Sequence, residues 1–221
     1  MIRPLQLLPL AAMLALNLQA CNTSEETPIP APEISPEDIS LDAPAPIELE
    51  ALDMRTPAEA GEVRAGLIED AAALIGGPKA EGLVGDIKMY NAHAAFVIEG
   101  VGRGGGYRYQ GGYVVDMAVV DADGVPSEDR FSEYLLTWNL NGFEPEKVEI
   151  LNDGRGEGPA HVRLVGKTTI FHFLDSFVGF IADAEPPDFR VNFDYTLGPE
   201  DRAISLKITL MNDGPEGVKV K

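Results

Sequence analysis

Two alternating stretches decide the fold of this chain: Val191-Asn192-Phe193-Asp194-Tyr195-Thr196-Leu197 and Ile204-Ser205-Leu206-Lys207-Ile208-Thr209-Leu210. Apolar and polar residues follow each other in both with a period of two, which is typical of strands with one buried and one solvated face. The residues between them, Gly198-Pro199-Glu200-Asp201-Arg202, have the composition of a turn. The sequence therefore predicts an antiparallel hairpin over residues 191–210.

Earlier segments have the same strand-like character, and short turns of Gly, Asn and Asp join them. They are residues 86–90, 94–98, 112–120, 147–151 and 161–165. The run 112–120 is the longest and most apolar of these, so we expect it to be a central strand. Together the segments predict a mainly β domain over residues 51–221, built as a β-sandwich.

Two further segments have helical patterns, and we expect both to cover the sheets. The short one is residues 70–75, which Gly76-Gly77-Pro78 ends. The longer one is residues 169–182, whose apolar side chains recur at helical spacing before Pro186-Pro187. These side chains are Ile170, Phe173, Leu174, Phe177, Val178 and Ile181.

The only cysteine of the chain, Cys21, ends Leu18-Gln19-Ala20-Cys21. Arg3 and the apolar run 5–16 precede it, and this run is shorter than the ~20 residues that a transmembrane helix needs. Residues 1–20 therefore have the pattern of a signal peptide. Residues 18–21 resemble the lipobox of bacterial lipoproteins. The alternative is an ordinary secretory signal in which the cysteine falls there by chance.

The lipobox resemblance implies that the Cys21 thiol carries diacylglycerol and that its amino group is acylated, with chains of the palmitate type. Several acyl chains form an anchor that hardly dissociates from a membrane. The resemblance places the chain in the cell envelope, facing the periplasm or the outside. Asn22 and Thr23, rather than an Asp, follow the cysteine, which favours the outer membrane over the inner membrane.

Residues 22–50 contain six prolines and eight acidic residues, with no Lys or Arg. Like charges and prolines extend a chain, and few apolar side chains are present to collapse it. We therefore expect residues 21–50 to be a lipidated cysteine followed by a disordered stalk. The alternative is that this segment begins the fold, with residues 34–39 docking locally.

The chain is acidic, with 17 Lys and Arg against 36 Asp and Glu and a net charge of −19. Nucleic acids and anionic membrane surfaces require a basic footprint, so the composition argues against both as partners. The membrane is expected as a partner only through the covalent lipid on Cys21.

Several short sequence motifs occur together in the domain. They are Gly76-Gly77-Pro78, Gly85-Asp86, Asn91, Phe96-Val97-Ile98, Gly111-Gly112-Tyr113-Val114-Val115-Asp116, Asp129-Arg130-Phe131 and Tyr195-Thr196-Leu197-Gly198-Pro199. Their order over residues 60–215 resembles the amino-terminal β-domain of large secreted bacterial proteins. In those proteins the domain precedes regulatory-type β-modules or a PHP-type metallohydrolase domain. The resemblance implies no metal ligand in this chain, because that chemistry belongs to the later domain.

The last hairpin is also similar to strands of the galactose-mutarotase type of β-sandwich. Near its end the chain reads Val218-Lys219-Val220-Lys221, which has the composition of a strand beginning. This pattern predicts a sandwich that is shortened at its carboxy terminus.

The loop after residue 100 carries the best candidate ligand residues, which are Arg103, Tyr107, Arg108, Tyr109 and Gln110. Aromatic planes beside guanidinium forks and an amide suit a sugar or a carboxylated ligand. The alternative is that the tyrosines pack on the sheet and the arginines pair with acids. Residues 100–105 also match a dinucleotide-binding glycine pattern, but a strand follows rather than a helix, so we expect no cofactor.

Metal and catalytic patterns are weak. Asp121, Asp123 and Glu128 resemble part of a calcium loop, but the spacing of further ligands fails and an acidic turn is favoured. His93, His161 and His172 lack the spacing of metal ligands, and no nucleophile elbow occurs.

The sequence therefore predicts a lipid-anchored, extracytoplasmic binding or scaffold module without a catalytic centre of its own, with a glycan or a protein as its partner. The alternative is a carbohydrate-binding or carbohydrate-active, mutarotase-like protein that uses the loop of Tyr107 and Tyr109.

Overall fold

Eight strands form two antiparallel sheets in the part of the chain that the computed structural model describes. That part comprises residues 52–104, 110–131, 134, 136–137, 141–170, 188–212 and 214. The first sheet has the order β1-β2-β3-β4, with β1 Val63–Leu67, β2 Ile87–Asn91, β3 Ala94–Ile98 and β4 Val114–Val119. The second sheet has the order β5-β6-β7-β8, with β5 Asn141–Asn152, β6 Ala160–Ile170, β7 Phe189–Leu197 and β8 Ser205–Asn212.

The predicted hairpin over residues 191–210 is confirmed as β7 and β8, with Phe193 opposite Ile208. The pairs β2–β3 and β5–β6 are confirmed as well. The mainly β, sandwich-like fold is thus the one that the alternating segments predict.

The prediction that residues 112–120 form a central strand is wrong, because β4 is an edge strand of the first sheet. Its residues are apolar for a different reason. Val114 belongs to the core between the sheets, whereas Val115 packs on the opposite face. The run is mostly apolar because both faces of β4 are covered as far as Ala118, and not because a strand lies on each side of it.

The prediction of covering helices is not supported. Residues 70–75 contain only a 3₁₀ turn, Ala71–Ala73, in which Asp70 accepts a hydrogen bond from the Ala72 N–H at 2.9 Å. Three alanines before Gly76-Gly77 are too few to nucleate an α-helix. Of the second predicted helix, Thr169 and Ile170 belong to β6, and residues 171–182 lie outside the described residues. No helix in the described part is long and apolar enough to cross a membrane.

Both sheets contribute to one apolar core. Phe193 lies at its centre, stacked on Phe143 with ring centroids 4.0 Å apart and edge-on to Tyr113 and Tyr195. The first sheet supplies Ile87, Met89, Phe96 and Ile98, and the second supplies Val162, Leu164, Val191 and Leu197. Aromatic stacking and the buried area make this core the main source of the domain's stability.

The first sheet is also covered on its other face. There Tyr90, Val97 and Val115 pack against Met54 and Ile68 from the flanking segments. Every residue of β2 and β3 is therefore buried. The second sheet instead presents a polar outer face, so the described domain has three layers: one sheet open to solvent, one fully covered sheet and a layer of loops.

Candidate functional site

The predicted ligand loop is described only at its two ends. Tyr107, Arg108 and Tyr109 lie outside the described residues. The Arg103 guanidinium donates a hydrogen bond to the Val84 carbonyl, and the Gly102 N–H donates to the Gln110 carbonyl at 2.9 Å. Arg103 thus holds its loop to the neighbouring turn, and a ligand-binding role for the five residues stays a prediction.

The acidic segment 121–128 forms a turn. One Asp121 oxygen accepts hydrogen bonds from the N–H groups of Asp123 and Val125, each at 2.9 Å. Glu128 lies 3.4 Å from Arg130. The described residues contain no group of three or more His, Cys, Asp or Glu side chains that could hold a metal ion.

An apolar groove of about 350 Å³ opens at one end of the sandwich. Its floor consists of Ala94, Phe96, Met117, Ala118, Val119 and Phe131, and its rim consists of His93, Ser127, Glu128, Arg130 and Arg202. The floor residues come from β3, β4 and the segment after the acidic turn. The volume falls within the range of small-molecule pockets.

Asn91 positions one end of the groove. Its side-chain nitrogen donates to the carbonyls of Gly198 and Asp201 at 2.8 and 2.7 Å, and its oxygen accepts from the N–H groups of His93 and Ala94 at 2.8 and 2.9 Å. All four hydrogen-bonding positions of the amide are used. The β2–β3 turn and the β7–β8 turn are therefore held together, and His93 and Arg202 are brought to the same rim.

The rim pair His93 and Glu200 joins the same two turns from outside. The His93 Nε2 lies 3.0 Å from a carboxylate oxygen of Glu200. Because both side chains are solvent-accessible, this pair contributes little to stability. It does set the direction of the imidazole ring at the groove entrance.

Asp129 positions the opposite wall. One of its oxygens accepts hydrogen bonds from the N–H groups of Met117 and Phe131, at 3.0 and 3.1 Å. The Ser127 N–H donates to the Val119 carbonyl at 2.8 Å. The segment 127–131 is thereby fixed along the outer edge of β4, and Phe131 is turned onto the groove floor.

The loop before β2 is fixed to the same strand. Asp116 is fully buried and accepts hydrogen bonds from the N–H groups of Glu81 and Gly82, at 2.8 and 3.0 Å. Burial raises the pKa of Asp116, and the nearby Asp129 carboxylate adds to the increase. These two acids thus anchor loops to β4.

The groove differs in character from the rest of this acidic chain. Val119 is 69 % exposed on its floor, although it is a large apolar side chain. Arg202 makes no ion pair or hydrogen bond within the part of the chain that the structure describes. The site therefore offers apolar surface beside a guanidinium that is free to bind a planar anion.

Two other cavities lie near residues 52–55, and the arginine side chains that line them are already paired. One, of about 320 Å³, is lined by Arg55 and Asp70, which lie 3.0 Å apart. The other, of about 630 Å³, is lined by Glu62 and Arg64, which lie 2.8 Å apart. These internal pairs make both cavities weaker candidates for ligand binding than the groove.

A second polar cluster lies on the outer face of the second sheet. Asp194 accepts hydrogen bonds from Arg163 Nε and approaches His161 Nε2, both at 2.7 Å. Burial alone would raise the pKa of Asp194, but the bonds from His161 and Arg163 outweigh it and lower that pKa. None of the three cavities described above is lined by these residues, and the cluster is a charge-paired sheet surface.

Sequence reasoning did not find the groove. In the sequence, Arg202 belongs to the predicted turn 198–202, and Arg130 and Phe131 belong to one of the motifs that carry the family resemblance. The sequence does show that the β2–β3 and β7–β8 turns are rich in polar residues. It does not show that the two turns lie close together, because their distance depends on how the two sheets stack. Comparison of the chain with protein-family models, with curated proteins and with solved structures found no match.

Proposed function

We propose that this protein is a lipid-anchored binding module of the cell envelope and that the groove binds an anionic amphiphile, which is a molecule with an apolar chain and a carboxylate or similar head group. The observation that carries the proposal is the exposed apolar floor at Val119 beside the guanidinium of Arg202, which has no partner among the described residues.

The two halves of the groove would contribute differently to binding. The apolar floor favours a hydrocarbon chain at about 0.8 kcal/mol per buried CH₂. The guanidinium of Arg202 would orient the head group through paired N–H donors. Because association itself costs several kcal/mol, short chains should bind weakly and longer chains measurably.

The anchor half of the proposal rests on the sequence. The lipobox-like residues ending at Cys21 and the acidic, proline-rich segment 22–50 support a domain tethered to a membrane, with the outer membrane favoured. A tethered domain with an amphiphile groove would act by capturing or presenting a ligand and would need no reaction. The carbohydrate-binding alternative, through Tyr107 and Tyr109, stays a second proposal, and it would need its own titration with sugars.

The test is a calorimetric titration of the lipid-free chain that carries Cys21→Ser with octanoate, decanoate and dodecanoate. Affinity should rise about fourfold for each added CH₂ until the groove is full. Alcohols of equal chain length should bind more weakly than the carboxylates, because they cannot form the paired contact with Arg202.

Two variants separate the halves of the groove. Arg202→Ala should abolish the preference for carboxylates over alcohols and leave the dependence on chain length. Val119→Asp should weaken all of these ligands. The matched controls are Lys79→Ala and Leu83→Asp, which change exposed residues outside the groove. Equal loss of binding in the controls, or no binding of any amphiphile by the parent chain, would contradict the proposal.

A further inference from the structure

The four edge strands of the two sheets are protected to different degrees. The edge of β1 is covered because the Ala65 N–H donates to the Asp153 carbonyl at 2.9 Å. The edge of β4 is covered by residues 127–131. The edge strand β5 has register shifts after Pro145 and after Ile150. Such coverage and bulges are the usual means of preventing sheet edges from pairing with other chains.

The remaining edge, β8, has none of these devices within the described residues. It runs for eight residues with a continuous register against β7, and no strand of the described part pairs with its other side. An edge of this length presents a row of backbone donors and acceptors that another strand can use.

The side chains of β8 also leave apolar surface uncovered. Leu206, Ile208 and Leu210 lie opposite the buried Tyr195, Phe193 and Val191, so they are on the face of the sheet that carries the core. Ile208 and Leu210 are nevertheless 37 % and 39 % exposed. The apolar face of the sheet thus continues past the part of the core that the first sheet covers.

We infer that β8 pairs with β8 of a second copy of this chain, antiparallel and across a twofold axis at Ile208. The spacing Leu206-Lys207-Ile208-Thr209-Leu210 is symmetric about that residue, so one copy presents the pattern that the other needs. The strand contains one Lys and no acid, although the chain carries 36 Asp and Glu. Two acidic chains can therefore meet along this edge without placing carboxylates opposite each other.

The side chains also select the register. With the axis at Ile208, this residue faces its own copy, and Leu206 faces Leu210. An axis at Lys207 would place two ammonium groups directly opposite, which is destabilising. An axis at Thr209 would place Leu206 opposite Asn212. Of these three registers, the one centred on Ile208 pairs Leu206, Ile208 and Leu210 only with apolar side chains and places no like charges opposite each other.

Sedimentation of the lipid-free chain that carries Cys21→Ser tests the association. A strand pair is a small interface, so we expect a dimer whose fraction rises with concentration. Ile208→Lys should weaken dimerisation at least about tenfold, because it places two charges opposite each other at the axis. Leu83→Lys, at an exposed apolar residue outside β8, is the matched control and should have no effect. Circular dichroism checks that each variant is folded.

Disulfide cross-linking tests the register. Cys21 is the only cysteine, so Ile208→Cys in the Cys21→Ser background introduces a single thiol. Residues directly opposite in an antiparallel pair have Cα atoms about 4.5–5.5 Å apart, which a disulfide can bridge. Leu206→Cys alone should not cross-link, because its two copies would lie about 13 Å apart along the strands. A mixture of the Leu206→Cys and Leu210→Cys chains should form the mixed disulfide.

The outcomes decide the inference in either direction. A concentration-dependent dimer with this pattern of cross-links supports it. A chain that stays monomeric up to about 1 mM overturns it. A dimer in which all three single variants cross-link equally, or in which none does, places the interface elsewhere. If Ile208→Cys fails to fold, the sedimentation of the parent chain and the mixed cross-link still decide.

Discussion

The side-chain nitrogen of Asn91 lies 2.8 Å from the carbonyl oxygen of Gly198, and this contact joins turns that belong to two different sheets. Asn91 is fully buried and sits at the end of β2, where the chain turns toward β3. One amide therefore fixes the end of the sandwich at which the groove opens. The stability of the fold and the geometry of the proposed binding site share this residue.

Replacing Asn91 should destabilise the domain strongly. Asn91→Ala removes four hydrogen bonds and leaves buried backbone groups without partners, so we expect a loss of about 2–4 kcal/mol in the free energy of unfolding. Asn91→Asp should be comparably harmful although it is isosteric, because a carboxylate oxygen would then face two carbonyl oxygens. Chemical denaturation measures both losses.

The control for Asn91 is Asn152→Ala. The Asn152 side chain also donates to two carbonyls, at 3.0 Å each, but both lie in its own β5–β6 turn and are solvent-accessible. We expect a loss below about 1.5 kcal/mol there. Equal losses at the two asparagines would show that the link between the turns has no special importance.

The centre of the core should be the most sensitive apolar position. Phe193→Ala removes a fully buried ring that stacks on Phe143, and we expect a loss of about 3–5 kcal/mol in the free energy of unfolding. Val125→Ala, at a residue that is 56 % exposed, should change it by less than about 0.5 kcal/mol. A loss under 1 kcal/mol for Phe193→Ala would contradict the shared core.

Lys88 should make stability depend on pH in the alkaline range. It is buried, its ammonium donates to the carbonyls of Met54 and Ala73, and burial lowers its pKa to about 8. Between pH 8 and its ordinary value near 10.5, the unfolded chain binds more protons at this residue than the folded chain does. Raising the pH through this window should therefore increase stability, by up to about 3 kcal/mol from this residue.

The measurement for Lys88 compares the parent chain with Lys88→Met at a series of pH values. Taking the difference between their free energies of unfolding cancels the contributions of the other titrating groups. This difference should be constant below about pH 7 and should move in favour of the parent chain from there to about pH 10.5. A difference that stays flat across the whole window would contradict the lowered pKa. Titration of the Lys88 side-chain resonance by NMR gives the pKa directly.

The proposed lipid anchor predicts that mutation of Cys21 changes the compartment of the protein. Because the Cys21 thiol is the atom that would carry the lipid, Cys21→Ser should release the chain from membranes or leave its signal peptide uncleaved. Incorporation of a labelled fatty acid should be lost in the same variant. Both chains keep Ser24. Loss of the label in the variant would therefore also show that a neighbouring hydroxyl does not take up the lipid in place of the thiol. Equal membrane partitioning of the parent and variant chains would exclude the lipoprotein proposal.

The hairpin of β7 and β8 could be predicted from sequence because period-two alternation is a local property that each strand carries in its own residues. Asn91, Asp116 and Asp129 all belong to the motifs that carry the family resemblance, and all three are buried in the structure. The edge position of β4 could not be predicted. A strand that a sheet covers on one face and loops cover on the other has the same apolar sequence pattern as a central strand.

The groove and the partial exposure of β8 depend on how far one sheet overlaps the other. Val119 and Ile208 are apolar residues in strands, so the sequence alone assigns both to a core. Only the stacking of the sheets decides that Val119 is exposed on a groove floor and that Ile208 lies at an uncovered edge. The overlap of the two sheets is set by long-range packing, so it cannot be inferred from the alternation of apolar and polar residues within each strand.

The measurement that tests the proposed binding function most directly is an NMR titration of the lipid-free chain with dodecanoate, followed residue by residue. We predict that the largest changes in the chemical shifts of backbone amides occur at residues lining the groove, which are Ala94, Met117, Val119, Phe131 and Arg202. The amide resonances of residues around Asp194, on the polar outer face, should not move. Saturating shifts confined to the groove would support the account. An unchanged spectrum, or shifts centred on residues 103–110 or on the outer face, would contradict it.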